Sequence, residues 1–124
     1  MSSQKCIDIY SLSHITHGFL FYNFFHYNNF KNYEIIIYSI IMEIIWEYIE
    51  NTPYIINKYR SKKKFMRYRG DSHKNIIGDI IFTIIGIYLT KYSLNVSLIC
   101  VILLEIVLSE YQANFLYLSF GSLL

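Results

Sequence analysis

The sequence predicts an all-α membrane protein: a polytopic helical bundle of about four transmembrane helices, with one short amphipathic helix at the interface. Three observations predict it. Hydrophobic residues make up 54% of the 124-residue chain and charged residues only 16%, where ordinary soluble domains carry roughly 25% charged. Four long apolar stretches recur, each approaching the ~20 residues of a spanning helix once its few polar residues are counted in. Eight of the eleven Lys and Arg then gather in one segment between the second and third stretches. The length accommodates one domain, residues 1–124. Thirteen Tyr and nine Phe supply bulk and interfacial anchors.

The first stretch, roughly 12–30, is "LSHITHGFLFYNFFHYNNF", polar at its start and aromatic after it. The second, 33–50, is greasy but holds Glu43, Glu47 and Glu50. Thr52 is placed to cap a following helix, and Pro53 suits its first turn, where a missing N–H costs little. That helix, over 53–65, is predicted to lie on the inner surface. Tyr54, Ile55 and Ile56 dip inward, and Lys58, Arg60, Lys62, Lys63 and Lys64 face lipid headgroups. Gly70 permits a turn, and Asp71 or Ser72 can cap the third helix, roughly 75–90, "NIIGDIIFTIIGIYLT". The fourth, roughly 94–109, is "LNVSLICVILLEIVLS", followed by an apolar tail. The third and fourth are apolar nearly all round, whereas a soluble bundle carries a charged outer face.

The basic segment (Lys58, Arg60, Lys62, Lys63, Lys64, Arg67, Arg69 and Lys74) places the 58–74 loop in the cytoplasm by the positive-inside rule. Four spans then put both termini inside, with Lys31 and Lys91 at the two outer turns. Cys6 and Cys100 share no motif, so no disulfide framework is expected. The opening "MSSQKCIDIYSLSH" lacks a basic region leading into an apolar one, so no cleaved signal peptide is expected. Membrane lipids are the expected partners and nucleic acid is not. Four short spans would need a homo-oligomer to form a full transporter.

The acids share one property. Glu43, Glu47 and Glu50, at i, i+4 and i+7, fall within an arc of about 60° on a helix. Asp71, Asn75 and Asp79 repeat the pattern on the third helix. His14 and His17 share a face of the first, and Glu105, Ser109 and Gln112 share a face of the fourth. Under the predicted topology the four polar stripes meet at similar depth near the cytoplasmic side. A charge at the bilayer centre costs at least about 2.5–3.5 kcal/mol on insertion scales, so such residues face the bundle interior and partner one another.

These residues form long, ordered motifs: Ser13-His14-x-x-His17-Gly18-Phe19; Glu43-x-x-Trp46-Glu47-x-x-Glu50-Asn51-Thr52-Pro53-Tyr54-Ile55-Ile56; Tyr59-Arg60; and Tyr68-x-Gly70-Asp71-Ser72-x-x-Asn75-x-x-x-Asp79. Over about residues 11–110 the chain resembles an uncharacterised family of bacterial multi-pass inner-membrane proteins that carries a domain-of-unknown-function label. The resemblance implies a multi-pass membrane protein and supplies no activity. Two departures stand out. The family's pattern has a further N-terminal hydrophobic segment and a Cys-rich stretch, whereas this chain starts at the His motif. It also has an Arg/Asp/Asn-rich segment after the fourth-helix Glu, where this chain reads "SEYQANFLYLS". Asp71-x-x-x-Asn75-x-x-Gly78 is a weaker echo, similar to VanZ-like membrane proteins.

Two classes of function follow. In the first, the chain is a membrane enzyme. His14, His17, Glu47 and Asp79 offer nitrogen and oxygen ligands of the kind that suit zinc, manganese or iron. Glu43 or Glu50 serves as general base on a bound water, and Ser72 is a candidate nucleophile. A lipid or lipid-linked phosphate is held by Arg60, Arg67 or Arg69, with Asn75 beside them, for hydrolysis or group transfer. In the second, the protein binds a lipid or partner, or relays protons or cations along its acidic interior. The topology has a direct check. A cysteine at Lys63, in a background lacking Cys6 and Cys100, should be shielded from a membrane-impermeant maleimide in intact cells and labelled after lysis. Labelling from outside would overturn the common depth of the four stripes.

Overall fold

The structure, a computed structural model, describes residues 6–62 and 69–120. Lys63, Lys64 and Arg67 of the basic segment lie outside the described residues. The elements are a 3₁₀ turn (Ser11–Ser13), α1 (His14–Tyr27), α2 (Asn32–Glu50), α3 (Pro53–Arg60), α4 (His73–Tyr92), α5 (Leu94–Ser109) and α6 (Phe115–Phe120). Among the described residues there is no strand, as the sequence predicts.

Local chemistry sets the boundaries. α1 stops at Asn28, and Asn29 adopts a left-handed φ of 66°, which Asn tolerates better than most residues. At the start of α2, Glu34 accepts the Lys31 N–H at 3.0 Å. Pro53 occupies the first turn of α3, but Thr52 does not cap that helix with its side chain. Its hydroxyl donates backward to Ile49 O at 2.7 Å, closing α2 instead. Ser72 and Ser93 cap α4 and α5, each hydroxyl accepting the N–H three residues on. Gly70 turns the chain at φ 95°, and Asn51 Oδ1 accepts the Asp71 N–H at 2.7 Å. The end of α2 is thereby tied to the approach of α4.

α3 differs from its predicted form. It ends at Arg60, and its inward anchor is Tyr59, buried to 4% and donating to Leu118 O on α6 at 2.8 Å. Tyr54, expected to dip inward, is exposed. Ile55 and Ile56 do pack against Tyr59, with Tyr10, Tyr117 and Leu118.

α1 and α4 form the central pair and run in the same sense, Cys6 lying against Gly78 and Gly18 against Gly86. Their backbones nearly touch. A Cβ on Gly18 would stand 2.1 Å from Thr83 O, and one on Gly86 would stand 2.2 Å from Ile15 O. Thr83 and Thr90, also buried on α4, turn their hydroxyls back to the carbonyls of Asp79 and Gly86. Small residues with self-satisfied hydroxyls are what close helix approach demands.

The distribution of polarity is inverted. The buried hydrophobic residues among those described are Phe25, Ile35, Tyr59, Ile87, Val101, Leu108 and Ala113. The buried polar ones include Ser39, Glu43, Glu47, Glu50, Asn75, Asp79, Thr83 and Ser97. Outside stand Ile37, Ile41, Ile44 and Ile45 of α2, Ile81 and Ile85 of α4, and Ile99, Ile102, Leu103 and Ile106 of α5. Four spans were expected from the sequence. Among the described residues one helix, α4, is long and apolar enough to cross a membrane by length and composition. α5 is apolar but only 16 residues long, α1 has only 14, and α2 carries its acids within 19 residues. The α1–α4 contact makes a clear demand on stability. Gly18→Ala should cost about 1–3 kcal/mol through overpacking, read as a lower melting temperature in detergent, while Ile99→Ala on the outer face should leave it nearly unchanged.

Candidate metal centre

The site is built by three helices. α1 supplies His14 and His17, one turn apart. α2 supplies Glu43, Glu47 and Glu50 from the face that points inward, and α4 supplies Asp79. All six are buried, Glu43 completely.

Glu43 is shared between the two imidazoles. Its Oε1 meets His14 Nδ1, and its Oε2 meets His17 Nδ1 at 2.8 Å. Both rings therefore spend Nδ1 on one carboxylate, which fixes their orientation and leaves each Nε2 for another partner. His14 Nε2 stands 3.5 Å from Asp79 Oδ2 and 3.8 Å from Glu47 Oε1. The rings themselves lie 4.4 Å apart. His17 is flanked edge-on by Trp46 at 5.8 Å and by Phe115 at 5.2 Å.

The Glu47 carboxylate is the anomaly. Both its oxygens are buried without a hydrogen-bond partner, and so is Asp79 Oδ1. Buried polar atoms are nearly always paired, and a buried ion without a partner costs several kcal/mol. Glu47 is also surrounded by acids. Ligand atoms of His14, Glu47 and Glu50 lie within 4.8 Å of one another, as do those of Glu47, Asp71 and Asp79. Donor atoms held about 2.0–2.2 Å from a zinc ion stand roughly 3–4.4 Å apart, so a small contraction would close either set around a cation. The chemistry of the donors and the orphaned oxygens both fit a divalent metal. In such a site Glu43 takes the place of the carboxylate that orients a ligating histidine through its far nitrogen.

The other residues expected at the site occupy varied places. Ser72 caps α4, its hydroxyl accepting the Asn75 N–H. Asn75 is buried and donates to Asp8 Oδ2 at 3.1 Å. Arg60 and Arg69 are exposed. Glu50 lines a small cavity with Ser13, His14, His17 and Tyr59. Glu105, grouped by sequence with the polar interior, instead holds α6: it accepts the N–H groups of Phe115 at 2.7 Å and Leu116 at 3.2 Å, and the Asn114 amide at 3.2 Å.

Three contributors have no role assigned by the sequence. Asp8 accepts from Tyr10 N, Ser11 N and Ser11 Oγ while receiving Asn75; its place three residues before Ser11 is a turn signal. Phe115 starts a helix announced by Asn114 before an apolar run, a start signal of the ordinary kind. Tyr59 gives no such signal. Burial, with the nearby charges of Glu50, Asp71 and Glu47, holds its hydroxyl protonated well above the usual tyrosine range.

If Glu47 is a ligand and not a structural partner, removing its charge should relieve the fold. Glu47→Gln is expected to stay monodisperse in detergent and to melt no more than a few degrees below the parent, because the desolvation penalty disappears. Collapse of the fold would mean that the carboxylate has a structural partner.

A family model described as "Protein of unknown function (DUF2585)" matches residues 1–119. A UPF0314 protein of Agrobacterium fabrum is 39% identical over 88 residues, covering 68% of this chain and 44% of the relative. A UPF0314 protein of Novosphingobium aromaticivorans is 39% identical over 92 residues, covering 68% and 46%. One of Brucella anthropi is 34% identical over 116 residues, covering 88% and 59%. The chain thus spans about half the length of the curated relatives it matches. No solved structure matches it.

Proposed function

We propose a function on the premise that the chain belongs to the DUF2585 family of proteins of unknown function, whose description supplies no activity. In this reading the protein is a multi-pass membrane protein that binds a divalent transition metal through His14, Glu47 and Asp79, with Glu50 and Asp71 at the edge of the set. It uses that metal for hydrolysis or group transfer on a lipid-type substrate. The observation that carries the reading is the Glu47 carboxylate, buried to 3% with both oxygens lacking a hydrogen-bond donor.

The inverted polarity supports the membrane part. Three of the four acids of α2 are buried, and Glu34 sits in its first turn. The surface that α2 turns outward is therefore isoleucine-rich despite its charges. α2 at 19 residues and α4 at 20 would reach about 28–30 Å, near the hydrocarbon thickness of a bilayer. α1 and α5 would complete four shorter or tilted spans. The basic residues near α3 would lie at the cytoplasmic surface.

The chain's own residues have separable tasks. Glu43 holds His14 and His17 by Nδ1 and so presents the Nε2 lone pair of His14 to the carboxylates. Glu50, at the small cavity with Tyr59, is placed to take a proton from a water or hydroxyl entering there. Trp46 and Phe115 shield His17. A bound divalent ion would polarise a phosphoryl oxygen and lower the pKa of a coordinated water.

Metal analysis of the purified protein tests this. About one equivalent of zinc, manganese or iron per chain is expected, with a loss of about 10–100-fold in affinity on Glu43→Gln, as for other second-sphere partners of ligating histidine, and loss of the metal in Asp79→Asn. A parent protein that purifies without metal but retains lipid would favour a non-enzymatic lipid-binding protein.

A further inference from the structure

Beside the metal centre lies a second feature that its chemistry does not explain. A groove of about 300 Å³ runs between α1, α2 and α6, at the lower end of ligand-site volumes. Its rim consists of Leu20, Met42, Ile45, Ile49 and Phe120, each 42–51% exposed. At its inner end stands His17, whose Nδ1 is held by Glu43. The groove therefore joins the outer apolar surface to a buried imidazole.

The polar end of the path is also visible. His17, Trp46, Phe115 and Ser119 line both this groove and the small cavity that holds His14, Glu50 and Tyr59. Trp46, Tyr59 and Ser119 in turn line a third hollow together with Lys58. The Lys58 ammonium lies 5.0 Å above the Tyr54 ring, and that of Lys62 lies 5.1 Å above Tyr117. Trp46 and Ser119 thus stand between the apolar groove on one side and a hollow lined by a lysine on the other.

We propose that this groove binds one acyl chain of an anionic phospholipid, with the headgroup reaching past Ser119 toward Lys58. The proposal rests on the reading of the protein as membrane-embedded and acting on lipids, and it names which lipid and where. Three observations select the occupant. The rim belongs to the apolar exterior, so in a bilayer the groove opens onto hydrocarbon. Its walls are apolar and aromatic except at His17 and Ser119. The hollow at the far end carries a cationic side chain, as an anionic headgroup would require.

Trp46 is the single tryptophan of the chain and lines the groove, so its fluorescence reports occupancy directly. The experiment titrates the purified full chain in detergent with phosphatidylglycerol brominated in mid-chain, and in parallel with the equally brominated phosphatidylcholine. Saturable quenching is expected, with phosphatidylglycerol binding about fivefold more tightly for the one lysine facing it. Lys58→Gln should abolish that preference. Ile45→Trp would add a second fluorophore, so Met42→Phe and Leu20→Phe are the groove-filling variants, each checked for an unchanged melting temperature. Either folded variant should weaken quenching by both lipids. Quenching that does not saturate, that ignores the headgroup, or that survives both filling variants would identify ordinary annular lipid and overturn the proposal. Metal content, measured on the same samples, is independent of the groove. Loss of lipid selectivity with metal retained would sink this inference alone. Absence of metal with selective quenching would sink the metal-dependent chemistry and leave the groove.

Discussion

Glu43 has two carboxylate oxygens and no access to solvent, and each oxygen is taken by an imidazole of α1. Since a buried carboxylate must be matched by donors, this contact fixes the rotation of α1 and α2 about their axes and their relative height. It also settles the orientation of both rings, because a histidine whose Nδ1 donates presents Nε2 on its far edge. On His14 that edge faces Glu47 and Asp79. The placement of the remaining acids follows from one pairing.

The third helix arrives by a different kind of force. α4 is held to α1 through Gly18 and Gly86, where no side chain intervenes, and that contact lies one turn beyond His14 on α1. Asp79 reaches His14 because the backbones are close enough for a short side chain to span the gap. A larger residue at either glycine would push α4 away from the histidine as well as lower stability. Packing and site geometry therefore have the same cause. The exterior contributes no such specificity, since its isoleucines stand about half exposed and offer no polar group.

The helical periodicity of the acids was legible in the sequence, and so was the meeting of His14, His17, Glu43, Glu47, Glu50 and Asp79 in one interior cluster. Spacing alone places Glu43, Glu47 and Glu50 on one face, and His14 and His17 on another. It does not divide the labour among them. Glu43 and Glu47 are one turn apart on the same stripe, yet one oxygen pair meets two donors and the other meets none. That difference is decided by atoms from α1, and no local pattern within α2 encodes it. Glu105 was grouped with the interior by the same logic, and the structure gives its carboxylate to the start of α6. The pairings of Tyr59 and Asp8 were not legible because their partners lie 59 and 67 residues away. By length and composition the described residues support one of the four expected spans, for a local reason: α1 is stopped by Asn28 and Asn29, and the acids of α2 count against it although burial hides three of them.

α6 links the two halves of the site. Glu105 seats it by taking the N–H groups of Phe115 and Leu116, which have no helical acceptor at a helix start. Seated there, α6 brings Phe115 against His17 and accepts Tyr59 through Leu118 O. An aromatic ring then flanks His17, and a tyrosine lines the cavity beside Glu50. In a low dielectric, an orphaned carboxylate such as Glu47 is most costly when nothing neutralises it, and most attractive to a cation. The same helix contributes Phe115, Ser119 and Phe120 to the apolar groove. One short segment, secured by one glutamate, thus flanks a histidine of the buried cluster and forms one wall of the groove beside it.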